Sequence, residues 1–407
     1  MSAAAICPIT AGETRSATAL HIEAGEHLIA AYAARSSGPT LIVIAGMHGN
    51  EGAGVRALQQ LAFLLQPLQD QLLGRVYLIA GNTRALRKGV RFIDHDLNRA
   101  WTSANLDSSG RSFRERSVEG HELTEIDQLI DQILVTAQDE VYILDLHSTS
   151  AGGRPFATVG DTIRNRRFAQ KFPVRLLLGI EEQLDGTMLE YLNNAGAVTL
   201  GFEGGRHGSP STIDNHVAMT WLALVHADVL SADLVPDYDH QKRRLEAWST
   251  AGRILEVRYR EPVMPGDGFV MDQGFTNFDP VDSGQIVARN NRGPISAPES
   301  GMILMPLYQK LGEDGFFIIR TVAPFWLWLS GVVRNLRLPA IVHMLPGVSR
   351  CPDHPETLLV NTHIARFLPL QVFHLLGFRK RRWSGNRLVV SRRRHDTDSP
   401  FKRTDGR

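Results

Sequence analysis

Five short apolar runs, rich in β-branched residues, constrain the fold of this chain more than any other feature. The runs are apolar at most positions rather than at alternate ones, which is typical of strands covered on both faces. Stretches with helical spacing of apolar residues separate them, as at 54–66 and 123–136. The five runs lie at 41–45, 76–80, 141–146, 174–178 and 197–202. This alternation predicts an α/β fold, with a parallel or mixed sheet sandwiched by helices.

The remainder of the chain differs from this pattern and predicts further domains. A chain of 407 residues is too long to fold around one small hydrophobic core. We predict an α/β domain over 1–245 and a smaller β domain over 246–325, where glycine and proline punctuate short runs. An extension follows over 326–407. Within it we expect loops and short helices over 339–369 and a disordered tail over 379–407, which is basic and polar.

Composition excludes several classes of protein. Apolar residues make up 43% and charged residues 21% of the chain, an ordinary globular balance. The formal net charge of +1 hides an asymmetry, because the residues from Arg379 onward contain 11 lysines and arginines against three aspartates. The remaining body is mildly acidic, so a general nucleic-acid-binding role is not expected.

The sequence also predicts a cytoplasmic location. Two cysteines, Cys7 and Cys351, cannot form a disulfide framework, which favours a reducing compartment. The N-terminal stretch lacks the basic and apolar regions of a secretory signal. The longest apolar run, 322–333, is too short to span a membrane.

Histidine and glutamate residues follow the ends of two predicted strands. The first run is followed by His48 and Glu51, and the third ends at His147. Ligands bind at the carboxyl ends of strands in open α/β sheets, so these side chains are expected to meet. Either motif alone would more often be a chance surface pair. Two histidines and one carboxylate form the ligand set of a catalytic zinc, with one open position for water.

Other strand ends supply the groups that a zinc hydrolase needs. Glu203 ends the fifth run and is predicted to be the general base; the alternative is a helix cap or a structural ion pair. The loop after the second run carries Arg91 and Arg99, whose planar forks suit carboxylates and oxyanions. The alternative for this loop is a solvated segment whose arginines pair with Asp94 and Asp96.

Four motifs in this order resemble the aspartoacylase/succinylglutamate desuccinylase family. They are HGNE at 48–51, RFIDHDLNR at 91–99, DLHSTS at 145–150 and FEGG at 202–205. The family consists of zinc amidohydrolases related to the zinc carboxypeptidases, and the resemblance covers about residues 40 to 320. It implies a zinc-carboxypeptidase-like mixed sheet and a C-terminal β domain, similar to a barrel-sandwich fold, that caps the site.

The resemblance also implies roles for individual residues and one Zn²⁺ per chain. Arg91 is similar to the family arginine that polarises the scissile carbonyl, and Glu203 resembles the general base that later acts as an acid. Asn98 and Arg99 resemble the pair that binds a substrate carboxylate. The implied zinc ligands are His48, Glu51 and His147.

One substrate-binding position departs from the family pattern. The aspartoacylase branch has an arginine about ten residues before the base, and the corresponding stretch 191–194 contains none. Our hypothesis is that Arg206 supplies this cation. Tyr308 resembles a family tyrosine that reaches into the pocket. The alternative is that Tyr308 belongs to the core of the β domain.

The predicted reaction is hydrolysis of an N-acyl amino acid, a small-molecule substrate. A zinc carboxypeptidase acting on short peptides is the closest alternative, and a binding protein that has lost catalysis is another. The segment 367–378 precedes a basic cluster and predicts either a helix packed on its own domain or contact with an anionic membrane surface, without stable insertion. We expect no nucleic-acid partner, and the sequence leaves the acyl group, the amine and homo-oligomer formation open.

Overall fold

The structure is a computed structural model that describes most of the chain. The described residues are 25–33, 37–106, 111–180, 183–246, 254–309, 312–336, 342–351, 357–361, 373, 375–384 and 387–402. The predictions for Cys7, the N-terminal stretch and most of 367–378 concern residues outside these ranges. No described helix combines the length and apolarity that crossing a bilayer requires.

The strands form one large mixed sheet and two small sheets. In chain order they are β1 Leu28–Ala33, β2 Thr40–Ala45, β3 Arg75–Ala80, β4 Val141–Thr149, β5 Phe156–Val159, β6 Arg175–Leu178, β7 Val198–Arg206, β8 Ile254–Pro262, β9 Val270–Met271, β10 Pro280–Val281, β11 Ile286–Asn290, β12 Gly293–Ser296, β13 Gly301–Leu304, β14 Asp314–Thr321, β15 Val348–Arg350, β16 Thr357–Asn361, β17 Phe378–Ser384 and β18 Arg387–Arg392. The large sheet has 11 strands in the order β1-β3-β2-β4-β7-β5-β6-β8-β14-β13-β10. The small sheets have the orders β12-β11-β9 and β15-β16-β18-β17.

Helices cover the large sheet. They are α1 Gly52–Leu65, α2 Thr83–Lys88, α3 Ser103–Leu106, α4 Arg111–Arg116, α5 Val118–Val135, α6 Ile163–Ala169, α7 Met188–Asn194, α8 Pro210–His226, α9 Tyr238–Glu246 and α10 Pro324–Asn335. Short 3₁₀ turns lie at Gln66–Gln71, Leu97–Arg99 and Ala232–Leu234.

Strand β2 shows why a run without polar positions lies at the centre. Its side chains alternate between the two faces of the sheet. Leu41 and Val43 pack in a core with residues of α1 and α8. Ile42 and Ile44 pack in a second core with residues of α5. Both faces of the strand are therefore buried, and the predicted α/β sandwich is confirmed.

All five predicted runs are strands of the large sheet, and helices occupy the two predicted helical stretches. Strands β1 and β5 were not predicted from the sequence. Strand β1 is half-buried at the sheet edge. Strand β5 has four residues and pairs antiparallel with β7 and parallel with β6.

The turn-rich segment after 254 forms strands, as predicted. Strand β8 pairs parallel with β6, and β14, β13 and β10 extend the same sheet. Strands β9, β11 and β12 form a small sheet beside it. The domain limits at 245/246 and 325/326 stay predictions.

The predicted disorder over 379–407 is wrong for the part of this tail that the structure describes. Strands β17 and β18 pair antiparallel, and their sheet packs its apolar side chains in a separate core that includes Phe378, Leu388 and Val390. The buried Arg334 of α10 joins this region to the main body through Asp161. Composition suggested disorder because the carboxylates that pair with the arginines of this region are distant in the sequence. Arg334 pairs with Asp161, and Arg379 pairs with Glu190.

Candidate active site

A tight turn after β2 brings His48 and Glu51 to the start of α1. Gly46 in this turn has φ +77°, and a Cβ there would lie 2.8 Å from the side chain of Leu86. Glycine is therefore required for both backbone conformation and space. His48 and Glu51 are buried, as is His147 near the end of β4.

These three side chains converge. Glu51 Oε1 lies 2.9 Å from His48 Nδ1, and Glu51 Oε2 lies 3.3 Å from His147 Nδ1. One ligand atom from each residue lies within 4.8 Å of the others. Burial acts to raise the pKa of Glu51, but the two histidines hold it well below its usual range.

The outer nitrogen of each histidine contacts an aspartate. Nε2 of His48 lies 3.1 Å from Asp96 Oδ1, and Nε2 of His147 lies 2.7 Å from Asp145 Oδ2. When the Nε2–H donates to a carboxylate, the Nδ1 lone pair is left for a metal ion, an arrangement common in metal sites. Two imidazole nitrogens and a carboxylate oxygen suit zinc, so the donor set fits a divalent metal.

Glu203 lies beside this cluster, because β7 runs parallel to β4 with Glu203 opposite His147. The side chain is buried, and its Oε2 has no hydrogen-bond partner among the described residues. Burial raises the pKa of Glu203 to about 8; Glu51 and Asp145 add to the shift, whereas His147 and Arg91 oppose it. Such a carboxyl group can exchange a proton near neutral pH.

The residue after Glu203, Gly204, allows β7 to pack closely against α8. A Cβ at Gly204 would lie 2.3 Å from the ring of His216 in α8. The Nε2–H of His216 donates to the carbonyl of His147 at 2.9 Å. His216 thus fixes the backbone of a predicted metal ligand, a contact that the sequence did not suggest.

Arg91 reaches the same site from the loop after α2. Its guanidinium donates to Asp96 at 2.9 Å and lies 3.9 Å from Glu51 Oε1. The buried carboxylate of Glu119 in α5 holds this loop by accepting three backbone N–H groups, those of residues 93–95, at 2.7 to 3.1 Å. The pairing of Arg91 with Asp96, expected for a solvated loop, therefore occurs within the site.

Asn98 and Arg99 lie on the 3₁₀ turn that follows. Asn98 Oδ1 accepts the backbone N–H of Met188 at 3.1 Å, which ties the turn to the start of α7. Arg99 donates to Asp314 Oδ2 at 3.2 Å. Seven of the predicted site residues line one cavity of about 150 Å³: His48, Glu51, Arg91, Asn98, Arg99, His147 and Glu203.

The other two predicted site residues do not line this cavity. Arg206 is exposed at the end of β7. The hydroxyl of Tyr308 accepts the N–H of Phe275 at 2.9 Å and lies 3.0 Å from the carbonyl of Asp272. Tyr308 packs with the core of the β region, which supports the alternative given for it.

Several cavity residues were not predicted to be part of the site. Asp145 stands two positions before His147, so both side chains lie on one face of β4, and this spacing could have revealed it. His207 Nδ1 lies 2.7 Å from Ser148 Oγ, next to the predicted ligand His147. Arg379 and Arg393 of the C-terminal region also line the cavity, and no sequence signal pointed to them.

Comparison with known proteins places these motifs in a family. A sequence model described as "Succinylglutamate desuccinylase/Aspartoacylase catalytic domain" matches residues 37–221. A succinylglutamate desuccinylase of Pseudomonas paraeruginosa is 29% identical over 142 residues, which cover 35% of this chain and 41% of that protein. Another, of Ectopseudomonas mendocina, is 36% identical over 78 residues, or 19% and 23% of the two chains. The chain thus spans about two fifths or less of the length of these relatives.

Solved structures show a similar fold. A succinylglutamate desuccinylase/aspartoacylase from Rhodobacter sphaeroides has a TM-score of 0.53 at 18% identity, covering 71% of this chain and 87% of that one. A succinylglutamate desuccinylase from Vibrio cholerae has a TM-score of 0.50 at 19% identity, covering 71% and 82%. The matched region contains the turn after β2, the loop 91–99, β4 and β7. The motifs of the candidate site therefore lie within a segment, residues 37–221, that matches the succinylglutamate desuccinylase/aspartoacylase catalytic-domain model.

Proposed function

We propose that this protein is a zinc-dependent amidohydrolase that deacylates a small N-acyl amino acid. The observation that carries the proposal is the unpartnered, buried Oε2 of Glu203 beside a cluster of two histidines and a glutamate. The curated relatives are named succinylglutamate desuccinylases, which supports an N-acylated amino acid as the substrate class. The zinc-carboxypeptidase-like arrangement of the sheet and a cytoplasmic location belong to the same proposal.

His48, Glu51 and His147 would hold the metal, and Asp96 and Asp145 would keep the two imidazoles in the binding tautomer. Zinc in such a site supplies a Lewis acid that lowers the pKa of water from 15.7 to about 7. Ser148 also donates its backbone N–H to Glu51 Oε2 at 2.8 Å, which orients the carboxylate.

Glu203 moves the proton in this proposal. Its Oε2 accepts the proton of the attacking water and later delivers it to the leaving nitrogen, so the free amine is released. Burial favours the protonated form of this carboxyl group, which suits the second step. Positioned acid–base groups of this kind contribute about 10²–10⁴-fold to rate.

Arginines bind the charged parts of the substrate. Arg91 lies close to Glu51 and is placed to stabilise the developing oxyanion on the scissile carbonyl. Asn98 and Arg99 line the same cavity and would bind the carboxylate of the amino acid. Arg99 already contacts Asp314, so the substrate carboxylate would share its guanidinium with that residue.

The test combines metal content with amine release from a panel of N-acetyl and N-succinyl amino acids and short dipeptides. We expect about one zinc per chain and release from acylated amino acids. Glu203→Gln should keep the metal and lose about 10²–10⁴-fold in kcat. Glu125→Gln, at a glutamate outside the cavity, is the control and should keep both.

Three results would overturn the proposal. A Glu203→Gln protein with near-normal turnover would exclude the proton-transfer role. Cleavage of dipeptides without deacylation would make the protein a carboxypeptidase. Failure to bind zinc after incubation with the ion would exclude the ligand assignment.

A further inference from the structure

Helix α10 has the reverse of the usual amphipathic pattern. Its two buried residues, Ser330 and Arg334, are polar, and both donate to a carbonyl of the C-terminal region. Its large apolar residues lie on the outside, where Phe325, Trp326 and Trp328 are each more than half exposed. A surface helix of a globular protein ordinarily turns its polar face to solvent. The outer face of α10 therefore offers a contact to an apolar partner.

The exposed aromatic residues of α10 are neighbours rather than scattered positions. The ring of Phe325 lies 5.3 Å from that of Trp326 and 6.0 Å from that of Trp328, measured between centroids. Leu336, directly after the helix, is also more than half exposed. We call these four residues the α10 patch. A groove of about 800 Å³ between α6 and α10 continues the patch, because Trp328 lines it. Contiguous exposed apolar surface marks a site of interaction with a protein or a membrane.

The charge beside the α10 patch is positive. Residues 162–180 contain five arginines and lysines, residues 322–350 contain three arginines, and neither segment contains an acidic residue. Among the described residues that line the groove, the charged ones are Arg166 and Arg167. Lys171 is exposed and donates to the backbone carbonyl of His226, which leaves its charge in place. The occupant of this surface should therefore carry negative charge.

Two carboxylates on the buried side of α10 do not cancel this charge. Asp161 contacts Arg166 and Arg334, and Asp396 also contacts Arg334. These two carboxylates balance the two arginines that they contact. The exposed Arg167 adds a positive charge to this balanced set, on the side of the groove.

The same charges disfavour a second copy of the chain as the occupant. An isologous contact would bring the same surface of two protomers together, so each positive groove would face another. A bilayer with anionic lipids instead offers negative charge at its surface and an apolar interior beneath it. Tryptophan is enriched at this boundary, because its ring is apolar and its N–H stays hydrated. With 12 residues, α10 is too short to cross a bilayer, so the contact would be peripheral.

We propose that the α10 patch and the groove beside it bind the surface of a membrane that contains anionic phospholipids. The aromatic side chains of the patch enter the boundary between head groups and acyl chains, while Arg167 and Lys171 contact lipid phosphates. The site is α10, rather than the segment 367–378 for which the sequence allowed membrane contact. It shares no lining residue with the active-site cavity, so it goes beyond the proposed hydrolysis and does not depend on it.

The test uses the full chain and vesicles of two compositions. Sedimentation should show binding to phosphatidylcholine mixed with phosphatidylglycerol and much weaker binding to phosphatidylcholine alone, and high salt should remove the difference. Trp328→Ser should lower the partition coefficient by about 10-fold. Arg167→Gln should lower it by about fivefold, for the anionic vesicles only. Both residues are exposed, so both variants should keep the Tm of the wild type.

Matched variants elsewhere on the surface are the controls. Phe63→Ser removes an aromatic ring that is 69% exposed on α1. Arg292→Gln removes an exposed arginine between β11 and β12. Neither residue lines the groove, so both variants should bind the vesicles as the wild type does.

Fluorescence locates the contact on the protein. Lipids with brominated acyl chains should quench the tryptophan emission of the wild type. The double variant Trp326→Phe/Trp328→Phe should still bind the anionic vesicles but lose most of this quenching, because phenylalanine keeps the apolar contact without the indole.

Several results would overturn the inference. They are equal binding to both vesicle types, binding to neither, and unchanged binding of both Trp328→Ser and Arg167→Gln. A dimer that Trp328→Ser converts to a monomer in light scattering would make a second copy the occupant instead. Shielding of Trp326 and Trp328 from acrylamide without vesicles would show that another segment of the chain covers the patch. These measurements do not involve turnover, so failure of the proposed function leaves them decisive.

Discussion

Two groups of histidines and glutamates that could hold a metal occur among the described residues, and they differ in what surrounds them. The active-site cluster consists of His48, Glu51 and His147. The second, which we call the α5 cluster, consists of His27, Glu122 and Glu125.

In the α5 cluster the polar atoms have protein partners. Arg84 donates to Glu122 at 2.8 Å and to Glu125 at 2.9 Å. Glu122 also accepts the backbone N–H groups of Thr83 and Arg84, and His27 bridges Glu125 and the carbonyl of Ala80. A guanidinium occupies the place that a cation would take, so this cluster ties α2 to α5. At the active-site cluster the guanidinium of Arg91 lies 3.9 Å from Glu51 and pairs with Asp96 instead, and the neighbouring carboxyl group of Glu203 has an oxygen without a hydrogen-bond partner among the described residues.

The largest effect is expected from removal of an active-site ligand. His147→Ala should abolish stoichiometric zinc binding, and activity should fall by more than about 10⁴-fold because both metal and substrate activation are lost. Metal analysis after dialysis and kcat measurements test this. The counterpart in the α5 cluster, His27→Ala, should retain the zinc; loss of zinc from both variants would erase the distinction.

A large effect on stability is expected from the α5 cluster instead. Glu122→Ala leaves donors of the partly buried Arg84 and the buried Thr83 unsatisfied, so the free energy of unfolding should fall by about 3–5 kcal/mol. Denaturant titration of the zinc-loaded protein measures this. Glu125→Ala removes a partly exposed partner and should cost about 1 kcal/mol or less. Equal decreases in the free energy of unfolding for the two variants would show that burial does not determine how much each glutamate contributes to stability.

An intermediate effect is expected where an aspartate orients a metal ligand. Asp145→Asn keeps the shape of the side chain but weakens its hold on His147, so zinc affinity should fall about 10–100-fold. Competition with a chelator measures the change. Asp131→Asn, at an exposed position of α5, is the control, and a similar loss there would point to a general destabilisation.

The smallest effect concerns pH. Burial opposes ionisation of Glu125, but Arg84 and His27 lower its pKa below the ordinary 4.5. A lowered folded-state pKa stabilises the protein above pH 4.5 and loses this contribution as the pH falls through the folded-state value. The difference in Tm between the wild type and Glu125→Gln should therefore shrink from pH 7 to pH 4. A difference that grows on acidification would contradict the sign.

The sequence predicted the central strands of the large sheet well because their signals are local. Three of the five apolar runs end within a few residues of a predicted site residue, so one short stretch of sequence indicates both the strand and the candidate site. Asp96 was named only in the alternative of a solvated loop, since its contact with His48 joins residues 48 positions apart. The strands β17 and β18 were missed for a similar reason, because burial of Arg379 depends on Glu190 in a distant helix. Pairings between distant elements leave no periodic pattern.

The contact between Glu119 and the loop 93–95 has a consequence for how this loop can change during evolution. Glu119 binds backbone N–H groups, so replacement of the Ile93 or His95 side chain leaves those hydrogen bonds intact. A change at Glu119 would release all three amides at once and free Arg91 from its position. Variation is thus permitted in the loop that carries the predicted substrate-binding residues, while the constraint lies on Glu119 in a helix that does not line the cavity.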